Sequence, residues 1–216
     1  MNNFVKTQDD YNWDFYPQVH YAQTLDLINN QGLMFQLPEN PIVKDGKIDK
    51  SYKIHANHRL IYEFVLNNDI KSVFEIGCGY ANHLVSLYRL NNNLHLAGCD
   101  ISDKQIEFAK MRYEEVRNFD IAICDFIEFV PTKKYDFSYS QACLMHLSTP
   151  RAKICIEKMC SMSKYVLSCD GGLKLPGFES WLTQFGQVEF LWDFCKEYWT
   201  DWYTPAFIIR VGQNDN

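Results

Sequence analysis

From Lys71 onward the chain repeats one unit: a short apolar run, then a glycine or an acid, then a stretch whose apolar residues recur at helical spacing. Adjacent parallel strands need a crossover of a dozen or more residues between them, so this alternation predicts a parallel sheet covered by helices. Strands are expected over 72–76, 94–99, 119–123, 134–139 and 164–169, with helices over 81–91, 102–117, 126–130 and 148–162 between them. After Asp170-Gly171-Gly172 come a short helix over 178–185 and two β segments, 187–194 and 206–211, joined by a hairpin or a long aromatic loop. There is no internal repeat and no low-complexity tract.

Residues 1–50 read differently. They are rich in aromatics (Tyr11, Trp13, Phe15, Tyr16, Tyr21) and prolines (Pro17, Pro38, Pro41), with a turn at Asp45-Gly46. A short helix over 20–30 and an extended piece over 32–37 are expected there, followed by a helix over 51–66 that carries Ile54, Leu60, Ile61, Phe64 and Val65. The division that follows is an N-terminal capping segment, 1–50, and a ligand-binding domain, 51–216.

Length and composition narrow the function. A chain of 216 residues with 47% hydrophobic and 22% charged residues is expected to fold as one domain with an appendage. No apolar run approaches the roughly 18 residues of a membrane span, and the first residues lack a basic-then-apolar leader, so a cytoplasmic protein is expected. Eight cysteines are scattered with no C-x-x-C pair, which fits reduced thiols better than disulfides or a metal site. A net charge of −6 argues against a nucleic-acid partner, because phosphate neutralisation calls for a basic face.

The strand ends carry the candidate site. The first closes on Glu75-Ile76-Gly77-Cys78-Gly79 and leads through Ala81 and Asn82 into a helix, so that a tight turn and a helix N-terminus meet where a polar ligand can approach. The second closes on Asp100-Ile101, a carboxylate placed to accept hydrogen bonds from ribose hydroxyls, or else to cap the following helix. The third closes on Cys124-Asp125-Phe126, an acid and a ring suited to an adenine, or again a cap. Three successive acids at the carboxyl edge of a parallel sheet point to one crevice.

In these features the sequence resembles the class I S-adenosylmethionine (SAM)-dependent methyltransferases. Glu75-Ile76-Gly77-Cys78-Gly79 is similar to the family's first motif, Asp100 to its ribose-binding acid and Cys124-Asp125-Phe126 to its adenine segment. The stretch 135–147, with Ser140 and Gln141 and the ending Leu144-Met145-His146-Leu147, is similar to its fourth strand and following loop. The resemblance implies a three-layer α/β/α Rossmann-like fold, a seven-stranded mostly parallel sheet with an antiparallel last strand, SAM as cofactor and S-adenosylhomocysteine (SAH) as product. Ala81 stands where the family often has a third glycine, and Ala142 where many relatives have an acid.

His146 is the candidate general base and Asp170, at the tip of the fifth strand, a second catalytic candidate. Tyr16, His20, Arg59 and Trp199 are candidates to line the acceptor site. The expected reaction is methylation of an oxygen or nitrogen of a small polar metabolite, such as a sugar or nucleotide-linked intermediate, by a monomer or homodimer with no nucleic-acid or membrane partner. Two readings compete. Gly77-x-Gly79-x-x-Asn82 partly matches a nicotinamide-dinucleotide fingerprint, with Glu75 and Asn82 counting against it, and a SAM- or SAH-binding subunit without turnover is the other.

Overall fold

Strand β3 (Ser72–Ile76) has buried side chains on both faces from Val73 to Ile76, which is the signature of a strand in the middle of a parallel sheet. A computed structural model describes residues 38–170, 177–191 and 206–212 and places β3 at the centre of a seven-stranded sheet. On one side β3 pairs in parallel with β4 (His95–Asp100), and β4 with β5 (Asp120–Ile123). On the other it pairs in parallel with β6 (Tyr135–Gln141), and β6 with β7 (Ser163–Cys169). The strand order therefore reverses between β3 and β6, and the connections leaving their carboxyl ends diverge to open a crevice.

The remaining strands are β8 (Gly186–Phe190) and β9 (Phe207–Val211). The last strand, β9, lies between β7 and β8 and is antiparallel to both, with Leu167 opposite Ile208 and Val188 opposite Ile209. The expected sheet, including its reversed last strand, is the observed one.

Helices α1 (Ala56–Asn67), α2 (Asn82–Leu90) and α3 (Asp103–Arg112) cover one face, with Leu60, Ile61, Leu84, Leu87 and Ile106 in a common cluster. Helices α4 (Thr149–Met162) and α5 (Phe178–Leu182) cover the other, packing Ile156, Met159 and Leu182 against Phe74 and Ile76. Among the described residues no helix is long and apolar enough to cross a membrane.

Three predicted helices come out shorter. The segment expected as a helix from residue 51 begins at Ala56, because His55 Nδ1 accepts from the Asn57 N–H (3.2 Å) and the chain before it is bent into a turn by Tyr52 N–H to Asp49 O (3.0 Å). The helix over 102–117 stops at Arg112 and continues as a separate 3₁₀ turn, Glu115–Asn118. The segment 126–130 is a single turn: Glu128 and Phe129 N–H groups return to Asp125 O, while Lys158 Nζ from α4 takes the carbonyls of Phe126 (3.1 Å), Ile127 and Phe129 (2.7 Å). Those carbonyls are satisfied without a longer helix.

Before α1, β1 (Val43–Lys44) and β2 (Lys47–Ile48) form a hairpin about Asp45-Gly46, both with positive φ. Arg59 fastens it to α1, donating to Ile48 O (2.8 Å), Asp49 O (3.2 Å) and Tyr52 O (2.9 Å). The expected helix over 20–30 and extended piece over 32–37 lie outside the described residues.

Gly98 in β4 marks the tightest contact between the sheet and the turn after β3. A Cβ there would lie 3.0 Å from Glu75 O and 3.2 Å from both Cys78 Cβ and Leu84 Cδ1. Gly98→Ala is therefore expected to destabilise by about 1–3 kcal/mol, the usual cost of overpacking, measured as a fall in Tm of about 2–12 °C; an unchanged Tm would show that the turn yields freely.

Candidate active site

The turn after β3 is held by backbone geometry. Gly77 and Gly79 have φ of 66° and 48°, and a Cβ on Gly77 would meet Cys143 Sγ at 2.3 Å, one on Gly79 the Gln105 Oε1 at 2.8 Å. The Cys78 N–H donates to Cys99 O (3.0 Å), which stitches the turn to β4. Ala81 keeps the left-handed conformation that a third glycine would adopt, with φ 58°, and forms the N-cap of α2 without a side-chain hydrogen bond. The N-cap residue itself offers no side-chain acceptor, and the start of α2 carries the partial positive charge of a helix N-terminus.

Asp100 closes β4 with 9% of its surface exposed. Its Oδ2 accepts from the Gly79 N–H (2.8 Å) and its Oδ1 from the Ser102 N–H (2.9 Å). Capping of α3 falls to Ser102, whose Oγ accepts from the Gln105 N–H (3.3 Å), so Asp100 is released from that task. A carboxylate has about four acceptor positions, and these two bonds leave lone pairs for ligand hydroxyls. Burial raises its pKa above the usual carboxylate value, against the lowering effect of its backbone donors. Next to it Ile101 is 43% exposed, and Ile123, its neighbour's partner in the register of β5, 49%.

Asp125 and Phe126, expected at the adenine, make contacts within the protein. Asp125 Oδ1 accepts from the Ile127 N–H (3.0 Å) and Oδ2 pairs with Arg151 Nη2 of α4 (2.6 Å). The Phe126 ring is buried against Phe74 (5.9 Å) and Phe129 (5.8 Å), beneath Lys158. The acid caps a turn and the ring joins the core, as an acid at a loop start and an aromatic after a strand often do.

Asp170 organises the loop after β6. Fully buried, it accepts from the Cys143 N–H at Oδ1 (2.7 Å) and from Ser168 Oγ–H at Oδ2 (2.8 Å), with the Ser140 hydroxyl and the Leu144 N–H also directed at it. Burial raises its pKa in spite of those donors. Ala142 in this loop has φ 52°, a conformation costly for a residue with a Cβ. Gln141, half-buried, ends β6 opposite Cys169. His146 closes a 3₁₀ turn, Leu144–His146; its ring hydrogen-bonds the Ala142 backbone, and burial lowers its pKa below the usual imidazole value.

Glu75 is 2% exposed and points to the face covered by α1 and α2. Its Oε1 lies 2.9 Å from His83 Nδ1, in the first turn of α2. Beyond it, His83 Nε2 lies 3.1 Å from His58 Nε2 in α1, and His58 Nδ1 lies 3.2 Å from Glu39 Oε1. His83 and Glu39 were not selected by sequence spacing: the two residues are 44 positions apart and are linked only through His58 of α1. An i+8 relation between Glu75 and His83 across a glycine turn was the one available signal. Arg59, a candidate for ligand binding, has its Nη groups engaged by the hairpin and Glu63. Tyr16, His20 and Trp199 lie outside the described residues.

Comparison with known proteins agrees with this geometry. A family model described as a methyltransferase domain matches residues 73–165, from β3 into β7. Carboxy-S-adenosyl-L-methionine synthase of Campylobacter fetus is 25% identical over 117 residues, covering 52% of this chain and 47% of that protein. The chain thus spans about half the length of the curated relative it matches. Magnesium protoporphyrin IX methyltransferase from Synechocystis PCC 6803, solved with bound SAM, is similar with a TM-score of 0.57 at 15% identity, over 88% of this chain and 96% of that one. TrmK of M. capricolum, solved with SAH, gives 0.57 at 14% identity over 76% and 72%. At such identities the two structures speak for the fold. Residues 73–165 thus match the methyltransferase-domain model, and the chain shares the Rossmann-like fold of these solved structures.

Proposed function

We propose that this protein is a SAM-dependent methyltransferase acting on an oxygen or nitrogen of a small polar metabolite, in a reducing compartment such as the cytoplasm. The observation that carries the reading is the meeting, at the carboxyl edge of β3 and β4, of a turn with two positive-φ glycines and a buried carboxylate that still has acceptor positions to give. When bound, SAM supplies a sulfonium methyl open to nucleophilic attack. Asp100 takes the ribose hydroxyls in this reading, while Gly77, Cys78 and Gly79 present backbone close to the nucleoside. The start of α2 at Asn82 suits the carboxylate of the methionine part. Glu75, buried at the end of β3 between His83 and Tyr139, supports the strand that leads into the turn. Ile101, Ile123 and Met145 offer exposed apolar surface for the adenine along the same edge.

The chemistry asks mainly for placement of the acceptor in line with the methyl, and for a base where the acceptor is a hydroxyl. His146 fits the second task. Its lowered pKa keeps it neutral near pH 7, and the hydrogen bond to the Ala142 backbone fixes the ring so that one nitrogen faces away from the loop. Asp170 acts behind it, as the clamp that shapes 142–146. A small acceptor is favoured by the net charge of −6, which opposes a polyanionic one.

SAH is expected to bind at micromolar Kd by calorimetry and NAD not to bind; NAD binding without SAH binding would overturn the reading. Asp100→Ala is expected to weaken SAH by about 100-fold, since two hydrogen bonds to a charged group and the shape of the turn are lost together. With an acceptor found by screening hydroxyl and amino metabolites against labelled SAM, His146→Ala is expected to lower the saturated rate by about 10²–10⁴ with SAH affinity unchanged. The wild-type rate should rise with pH through a value below 6.5 and then level, because His146 must be neutral to accept a proton; a profile identical in His146→Ala would assign that residue to packing.

A further inference from the structure

We propose that His83 and His58 are positioning residues that share one proton between their Nε2 atoms, and that this relay holds the Glu75 carboxylate at the cofactor turn and ties it to Glu39 ahead of the hairpin. The relay is continuous: Glu75 Oε1 to His83 Nδ1 at 2.9 Å, His83 Nε2 to His58 Nε2 at 3.1 Å, His58 Nδ1 to Glu39 Oε1 at 3.2 Å. All four groups are buried or nearly so, with side-chain exposures of 3%, 15%, 9% and 8% from Glu75 to Glu39.

Proton counting sets the charge state. A carboxylate accepts only, so each Nδ1 facing one must carry hydrogen. Two neutral imidazoles would then aim bare lone pairs at each other across 3.1 Å. The contact becomes a hydrogen bond only when a third proton is added, which makes one ring an imidazolium. The 3.1 Å between the two Nε2 atoms is a hydrogen-bond length, which a proton between them satisfies.

The surroundings agree. Burial opposes a charge on His83, but the Glu75 carboxylate prevails and raises its pKa above the usual imidazole value; burial and the neighbouring His83 lower that of His58. The cation therefore rests on His83 and the neutral ring is His58. The other ionisable groups at the relay bring no competing charge: His55, 5.2 Å from His58, is held down to about 4, and Tyr62 beside Glu39, Tyr139 beside Glu75 and Cys78 are all pushed up by burial.

The pH window follows from these directions. His83, raised, contributes stability that is complete below about 6.5 and is lost as pH rises through its folded pKa. His58, lowered, has the opposite sign, since below about 6.5 the unfolded chain takes up a proton there that the fold declines. The relay is intact between the folded pKa of His58, below the usual imidazole value, and that of His83, above it; beyond the upper one Glu75 loses its cationic partner. Glu75 Oε1 is thus fixed by His83, with the buried Tyr139 hydroxyl beside the same carboxylate.

The consequence for cofactor binding rests on the SAM reading above; the proton itself does not. In ¹⁵N-histidine NMR spectra of the ligand-free protein, His83 is expected to stay doubly protonated well above pH 6.5. His58 should stay neutral with its proton on Nδ1. Both rings titrating independently near 6.5, or His58 carrying its proton on Nε2, would overturn the relay. In calorimetry, SAH affinity should fall about tenfold as pH rises through the His83 titration. His58→Gln and Glu39→Gln, which lie beyond the turn, should each lose about tenfold at pH 7 and flatten that pH dependence. Variants that unfold normally by heat yet bind SAH with the wild-type pH profile would refute the positioning role. If SAH fails to bind the wild type, the SAM reading fails while the NMR result still decides the relay.

Discussion

The Asp100 carboxylate is buried at the end of β4, and it spends one oxygen on the Gly79 N–H of the neighbouring strand's turn and the other on the Ser102 N–H that begins α3. A buried carboxylate without donors would be costly, so these two bonds are a condition of its being there at all. They also carry information in the other direction. Because Oδ2 reaches Gly79, the turn after β3 has one position relative to β4, and Gly98 is the residue whose missing side chain allows that approach. The site is thus shaped by the same contacts that close the sheet, with no separate loop structure needed to support it.

A second acid repeats the device one pair of strands away. Asp170, beyond β7, gathers N–H and hydroxyl donors from the loop after β6, and in doing so supports the left-handed Ala142 and the turn that carries His146. At the opposite end of the sheet Asp136 accepts from the Lys71 and Ser72 N–H groups and pairs with Lys164. Acids therefore lock both ends of the central strands, but only at the carboxyl end do they meet a turn with two positive-φ glycines. That asymmetry, set by the strand-order reversal between β3 and β6, is why ligand chemistry belongs to one edge.

The sheet was legible because its signal is periodic and local: buried β3 reads as Val73-Phe74-Glu75-Ile76, and each crossover has room for its helix. Gly77, Gly79 and Asp100 were legible because a turn needing positive φ and an acid at a strand tip leave a mark at fixed spacing. Phe126 was not, because whether a ring after a strand faces the crevice or the core depends on what lies beneath it, here Phe74 and Phe129. Arg59 was misleading for the same reason; the carbonyls it satisfies belong to a hairpin whose docking on α1 has no local signature. The three helix ends that moved were decided by partners distant in sequence, such as Lys158 for the turn after Asp125.

The histidines raise the question of what their burial is for. Replacing buried ionic groups by apolar ones of similar volume is often neutral or stabilising, so packing alone gives no reason to place His58, His83, Glu39 and Glu75 in the layer between α1, α2 and the sheet. Stability could be had there with leucine. What leucine cannot do is hold a carboxylate at a defined angle beside a glycine turn, because the dispersion contacts that fix an apolar side chain have no preferred direction for a charge. A relay of hydrogen bonds has such a direction at every link, and it ends at Glu75, two residues before the turn that Asp100 positions from the neighbouring strand. By the register of β3 and β4, in which Glu75 lies opposite Gly98, the two acids sit on the same face of adjacent strand ends. The arrangement makes sense as joint control of one ligand site, with Asp100 fixing the backbone of the turn and the histidines fixing its side chain.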